Sequence, residues 1–348
     1  MNIYPKLLFL AVLASLSLST QPIRAADEVS EESEEAPSQV HQAATVRPNL
    51  GQKAPQEGQG QQDPNITFLH DVEYGKAGDH VLHMEIAMPK VKPDKPMPAV
   101  LYFHPGGFVE GTHKSIPIAF LAKRGYFVGS VEYRFSNEAI FPAQLQDAQL
   151  AVRWLRANAK QYNVDPKRIA AWGGSAGAII AQWLGTMRHS DGFAKAGGLD
   201  DVDDSVQAVV SFFGAADATL GYRIGKISVL NKNAIAMHGG RTYKDDPEGY
   251  KRSSSITFVK PDDPPFFLVY GALDKVCIPE QGEEMDKALS KANVPHELII
   301  AKNAGHMFNH PNDAPPIDPP PLEIRKKAVD FLARYLLNDS KTVVTPKD

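Results

Sequence analysis

Cysteine is all but missing. Cys277 stands alone in a chain of 348 residues, so no disulfide can close within it and no cysteine pair can hold a metal. A chain of this length buries enough apolar surface to do without a covalent staple, and Cys277 reads as a small buried residue, not a nucleophile. Long apolar runs are missing too. Residues 7–18 are apolar apart from serines, about a dozen positions against the ~20 that a membrane-spanning helix needs. No other run is long enough. Charge of one sign is also lacking: 37 Lys and Arg stand against 41 Asp and Glu, a net charge of -4. Without a basic patch interleaved with aromatics, nucleic acid is excluded as a partner. Neither H-E-x-x-H nor a phosphate-cradling G-x-x-x-x-G-K-[ST] occurs, and the glycines around Ser175 lack the third glycine of a dinucleotide fingerprint. Nothing calls for a metal or a cofactor, and no internal repeat is seen.

What is present begins with a leader. Residues 1–26 read as a secretory signal peptide: a weakly positive head, the short apolar run, then a stretch ending in Ala25 and Ala26, where cleavage is expected. The expectation is a secreted or periplasmic protein with no stable membrane insertion after cleavage. Residues 27–63 open with six acidic residues in 27–35 and continue rich in Gln, Pro, Gly and Ala. Such a composition cannot offset the entropy of ordering and predicts a disordered linker. A single folded domain is expected over residues 64–340.

Within it, residues 66–69 and 81–88 alternate as half-exposed antiparallel strands do, with 74–79 turn-like between them. From residue 99 the pattern changes. Residues 99–103 are a continuous apolar run, as in a strand covered on both faces, and 126–133, 168–172, 206–213, 265–270 and 296–301 read as further strands. They alternate with helical stretches at 116–123, 143–162, 279–292 and 321–337. This predicts an α/β fold: a mainly parallel, doubly wound sheet flanked by helices.

One stretch organises the rest. Gly173-Gly174-Ser175-Ala176-Gly177 follows a strand and opens a helix of small apolar residues. That is the G-x-S-x-G nucleophile elbow, in which a strained serine is lifted above the sheet at a helix N-terminus. His104-Pro105-Gly106-Gly107-Phe108 follows the buried strand 99–103, where such folds place an oxyanion loop. Pro105 has no N–H to give. The N–H groups of Gly106, Gly107 and Ala176 are the candidate donors, with His104 orienting the loop. Asp274 follows strand 265–270 and is the candidate acid; Asp217 is its rival. His306 follows strand 296–301 and is the candidate base, ahead of His310. Ser175, Asp274 and His306 then stand in the chain order Ser…Asp…His of the α/β hydrolases.

Glu132-Tyr133-Arg134, Phe141-Pro142-Ala143-Gln144, Ala151-Val152-Arg153-Trp154-Leu155-Arg156, Asp165-Pro166-Lys167-Arg168-Ile169 and the elbow together resemble the bacterial α/β-hydrolase esterases of the BD-FAE-like group. These are acetylxylan and feruloyl esterase-like enzymes, related to the HGGG or hormone-sensitive-lipase-like carboxylesterases. The likeness runs over residues 81–337. It departs at Pro105, where the family usually has glycine, and at Ala178, which narrows the helix entrance. The resemblance implies an exported serine esterase acting through an acyl-enzyme on short acetyl-like esters, with a small-molecule or polysaccharide ester as substrate. A serine peptidase on the same fold and a non-catalytic binding protein are the alternatives; the sequence says nothing of oligomeric state. Residues 215–264 hold only a weak apolar stripe at 218–227, read as an ordinary helix packed on the core and not as a lipase lid.

Overall fold

The computed structural model describes residues 63–311 and 313–337. The expected signal peptide and all but the last residue of the linker lie outside them. Eight strands form one sheet: β1 (Ile66–Ala77), β2 (His80–Pro89), β3 (Met97–Phe103), β4 (Phe127–Val131), β5 (Val164–Gly174), β6 (Ala208–Phe212), β7 (Phe266–Gly271) and β8 (His296–Ala301). Their order across the sheet is β1-β2-β4-β3-β5-β6-β7-β8. The β1–β2 and β2–β4 pairs are antiparallel and every later pair is parallel. β3, β4, β6 and β7 are buried along their whole length, which is why their sequences are apolar without alternation.

The helices are α1 (Ala143–Ala157), α2 (Ala159–Tyr162), α3 (Ala176–Thr186), α4 (Leu220–Arg223), α5 (Val229–Met237), α6 (Pro247–Arg252), α7 (Glu280–Lys291) and α8 (Pro321–Leu336). Among the described residues no helix is long and apolar enough to cross a membrane.

Four local expectations are corrected. The turn expected at 74–79 shrinks to Gly78-Asp79, and Tyr74 stays in β1. Its ring is buried, and its hydroxyl donates to the Glu132 carbonyl at 2.6 Å; that tertiary contact outweighs the turn propensity of Gly75. The helix expected at 116–123 is only a short 3-10 helix, Ala119–Arg124. Pro117 has no N–H to give, and the bonds that form span three residues, Ala119 N–H to Ile116 and Leu121 N–H to Ile118, while Gly125, in the left-handed region at φ 85°, stops the turn as expected. The long helix expected at 143–162 breaks at Asn158, whose side chain donates back to the Trp154 carbonyl at 2.9 Å. Finally, 218–227 is no packed helix. α4 is a single turn that buries Leu220, whereas Ile224 and Ile227 are exposed.

α4, α5 and α6 form a cap segment between β6 and β7. Ser228 caps α5, with Asn231 closing the reciprocal bond, and Asp246 caps α6. The segment is tied to α3 by the Trp183 indole, which donates to the Ser253 carbonyl at 2.7 Å. Inside it His238 stacks on Tyr250 at 4.2 Å between ring centroids, with Nε2 3.1 Å from the Ser253 hydroxyl. Burial pushes the His238 imidazole down to about 4 from its ordinary 6.5.

That shift makes a prediction. Between about pH 6.5 and pH 4 the unfolded chain binds the proton and the folded chain does not, so stability falls as pH drops through this window. Thermal melts from pH 7 to 4 should show a falling Tm, with a shallower slope in His238→Gln. An unchanged slope would mean that His238 does not titrate on unfolding.

Candidate active site

Five loops at the carboxyl ends of β3, β5, β6, β7 and β8 face the same edge of the sheet, the place where open α/β sheets collect their ligands. The sharpest is the turn from β5 into α3. Ser175 has φ 52° and ψ -118°, a conformation that costs a non-glycine residue of order 1–3 kcal/mol. The surroundings hold it there: its N–H donates to the Phe212 carbonyl at 2.8 Å, and its own carbonyl accepts from Ala178 and Ile179. The two outer glycines supply room. A Cβ on Gly173 would lie 2.0 Å from the Gly177 carbonyl oxygen, and one on Gly177 would lie 1.9 Å from that of Phe103. Strand β3, strand β5 and helix α3 can close on one another only because both positions lack side chains. Ala178 does narrow the entrance, but the molecule accommodates it through Gly214, where a Cβ would come within 2.8 Å of the Ala178 methyl.

Asp274 is buried beyond β7. Its Oδ1 accepts from the backbone N–H groups of Val276 at 2.7 Å and Cys277 at 3.0 Å. The other oxygen, Oδ2, lies 2.8 Å from His306 Nδ1, and His306 Nε2 lies 2.9 Å from Ser175 Oγ. The sequence-expected serine, aspartate and histidine are thus joined by two hydrogen bonds. Their loops are fastened together as well. Leu273 N–H donates to the Ala304 carbonyl at 2.8 Å, Gly305 N–H donates to the Asn309 carbonyl at 2.7 Å, and Asn309 N–H donates to the His306 carbonyl at 2.9 Å. Gly271 permits this: a Cβ there would lie 2.3 Å from the Ala304 carbonyl oxygen. Phe213 sets its ring edge-on to His306 at 5.7 Å.

The rivals are placed elsewhere. Asp217 accepts from Thr219 N–H and Oγ1 and from Arg223 Nη2, all within 2.7 Å, and so pins the start of the cap segment. His310 bonds the Pro315 carbonyl at 2.7 Å.

In the loop after β3, Gly106 has φ 138° and Gly107 φ 61°, both open to glycine and strained for other residues. The Gly106 carbonyl accepts from Val109 and Glu110, closing the turn. No acceptor among the described residues takes the N–H of Gly106, Gly107 or Ala176. His104 is buried, stacks on Tyr133 at 4.3 Å, and sets its Nδ1 2.8 Å from the Pro105 carbonyl. Burial holds its imidazole below the ordinary value, so it stays neutral at pH 7. Tyr133 hydroxyl donates to the His104 carbonyl at 2.9 Å. The loop is therefore fixed through a side chain, on the side where Pro105 offers no N–H.

Cys277 is fully buried, and burial together with the nearby Asp274 carboxylate pushes its thiol well above the ordinary range. Among the described residues, one group has the ligand spacing for a metal: Asp71, Glu85 and His113, at the β1–β2 edge of the sheet. The Lys114 ammonium already pairs with both carboxylates there.

The strand order and the elbow define an α/β-hydrolase fold. Residues 84–289 match the model of the BD-FAE family, and the chain belongs to it. Esterase LipQ of Mycobacterium tuberculosis is 28% identical over 244 residues, covering 69% of this chain and 57% of that protein. The chain spans about half the length of the curated relatives it matches. Among solved structures, a truncated carbohydrate esterase from gut microbiota superposes with a TM-score of 0.65 at 23% identity, covering 80% of this chain and all of that one. An acetyl ester-xyloside bifunctional hydrolase from Caldicellulosiruptor lactoaceticus gives a TM-score of 0.55 at 25% identity, over 66% of this chain and 80% of that one.

The close packing at the elbow is testable. Gly177→Ala should unfold the protein or lower its stability by about 3 kcal/mol or more, because the methyl meets backbone that cannot move aside. Denaturant titration checks this; a wild-type midpoint would show that α3 can shift away from β3.

Proposed function

We propose that this protein is a carboxylic ester hydrolase that works through an acyl-enzyme at Ser175. The observation that carries the reading is the continuous hydrogen-bonded line from buried Asp274 through His306 to Ser175 Oγ. Ser175 Oγ forms a bond to the ester carbonyl carbon as its proton passes to His306 Nε2. Asp274 orients the imidazole through Nδ1 and stabilises its cationic form. The carbonyl oxygen, now an oxyanion, receives the N–H groups of Gly106, Gly107 and Ala176, aided by the N-terminus of α3. The C–O bond to the alcohol then breaks, and His306 returns the proton to the departing oxygen. Water repeats the attack on the acyl-enzyme, giving up its proton to His306 and releasing acid and free serine.

The acyl group in this reading is short. A partly open cavity lies under the cap segment, lined not by Ser175 or His306 themselves but by their neighbours, with Phe108, Ile179, Trp183, Leu230, Met237 and Val276 among its lining. Phe108 follows the oxyanion loop, Ile179 lies one turn after Ser175, and Val276 follows Asp274. Its volume is about 40 Å³, where a single water needs roughly 10–15 Å³ by the same measure. That suits an acetyl to butyryl chain. Acetylated plant polysaccharide is the natural candidate, in line with the carbohydrate esterase and acetyl ester-xyloside hydrolase that share the fold. Export through a cleaved leader at residues 1–26 belongs to the same proposal.

Two experiments test it. Ser175→Ala and His306→Ala should each lose at least about 10³-fold in kcat on nitrophenyl acetate with an unchanged fold, while His310→Ala keeps most of it. Were His310→Ala inactive and His306→Ala active, the base would be misassigned. Against a series of acyl lengths, kcat/KM should peak at acetyl to butyryl and fall steeply beyond. Faster turnover of emulsified long-chain triglyceride would make the enzyme a lipase.

A further inference from the structure

The cap segment reaches the site at one polar point. α5 is held at its first turn by Ser228 and Asn231. Its rotation is fixed because Leu230, Ala234 and Met237, at helical spacing, all turn into the cavity that Phe108 also lines. The neighbouring flank carries Asn233, which is half-buried. Its side-chain nitrogen lies against the Cα of Gly107: a Cβ built on Gly107 would come 2.1 Å from Asn233 Nδ2. The glycine at 107 thus serves twice, for its positive φ and for the amide that occupies the space beside it.

Nothing on Gly107 Cα can accept a hydrogen bond, and no hydrogen bond ties the Asn233 amide to another described residue. A half-buried donor that is not sealed away from solvent, set directly against one of the loop residues whose N–H has no described acceptor, is suited to an incoming oxygen. From this juxtaposition we propose that Asn233 is a fourth donor of the oxyanion site. Its Nδ2–H bonds the same substrate oxygen that receives Gly106, Gly107 and Ala176. The inference rests on the ester-hydrolase reading. It adds that the cap carries part of the transition-state stabilisation besides enclosing the acyl group. A neutral amide there favours negative charge as it develops on the oxygen, so the effect belongs to kcat more than to ground-state binding.

The experiment compares full-length wild type with Asn233→Ala, Asn233→Asp and Asn233→Gln on nitrophenyl acetate, with Ser175→Ala alongside. Asn233→Ala should lose about 10²-fold in kcat, the lower end for a lost oxyanion donor, with KM and Tm near wild type. Asn233→Asp should be slower still, since a carboxylate opposes the oxyanion. Asn233→Gln, which keeps a donor on a longer arm, should recover part of the rate. If both Ala and Asp variants turn over like wild type, the inference is overturned while the hydrolase reading stands. Equal losses in Ala and Gln together with a lowered Tm also overturn it, because that is the pattern of a packing residue. If Ser175→Ala retains the wild-type rate, the hydrolase reading itself falls and takes Asn233 with it.

Discussion

The site depends on one close approach of backbones. Helix α3 begins where β5 ends, directly against the end of β3, and Gly173 and Gly177 are the positions at which any side chain would collide with main chain. Closing that gap forces the chain to reverse within a single residue. The reversal is what drives Ser175 to φ 52°. The strain is local, and the Phe212 carbonyl and the first turn of α3 hold it in place. The gain is a hydroxyl fixed above the sheet at a helix N-terminus, where it needs no further ordering before reaction.

The same logic recurs at β7 and β8. Gly271 lets the loop of Asp274 touch the loop of His306, and backbone hydrogen bonds then lock the two together. Main-chain hydrogen bonds therefore do much of the positioning of Asp274 and His306. Asp274 is buried with both oxygens partnered, two N–H donors on one and His306 on the other, as a buried polar group requires. The loop after β3 is built differently. Pro105 interrupts the glycines, and His104, stacked on Tyr133 and bonded to the Pro105 carbonyl, supplies the rigidity.

How much of this could be read from the sequence follows from how local each feature is. The elbow is a five-residue pattern between a strand and a helix, so it is legible outright. Asp274 and His306 are legible by their order and by the strands that precede them, because carboxyl ends of parallel strands meet at one edge. Tyr74 is not legible: its turn-like neighbours mislead, and the Glu132 carbonyl that holds it in β1 is 58 positions away in the chain. The roles of Gly271 and Gly214 are invisible for the same reason, since nothing beside them says which backbone will come close. Asn233 is hidden further, on a short helix beyond the weak apolar stripe at 218–227, which suggests only an ordinary helix packed on the core. A signal existed in the capping residues Ser228 and Asn231, which announce α5, but not in anything that says where its flank points.

In the proposed reaction the choice between Ser175 and Cys277 is one of environment. By intrinsic chemistry the thiol is the better one. Yet Cys277 is buried and donates its backbone N–H to Asp274, so forming a thiolate would place a second negative charge in the interior beside that carboxylate. Its proton stays on. Ser175, intrinsically weak, lies 2.9 Å from a histidine nitrogen and at the start of a helix, where the proposed mechanism has a base to take its proton and amide dipoles to meet the charge. One buried carboxylate thus touches both groups. Through His306 it is joined to Ser175, and its charge adds to the burial that holds the proton on the only thiol in the chain.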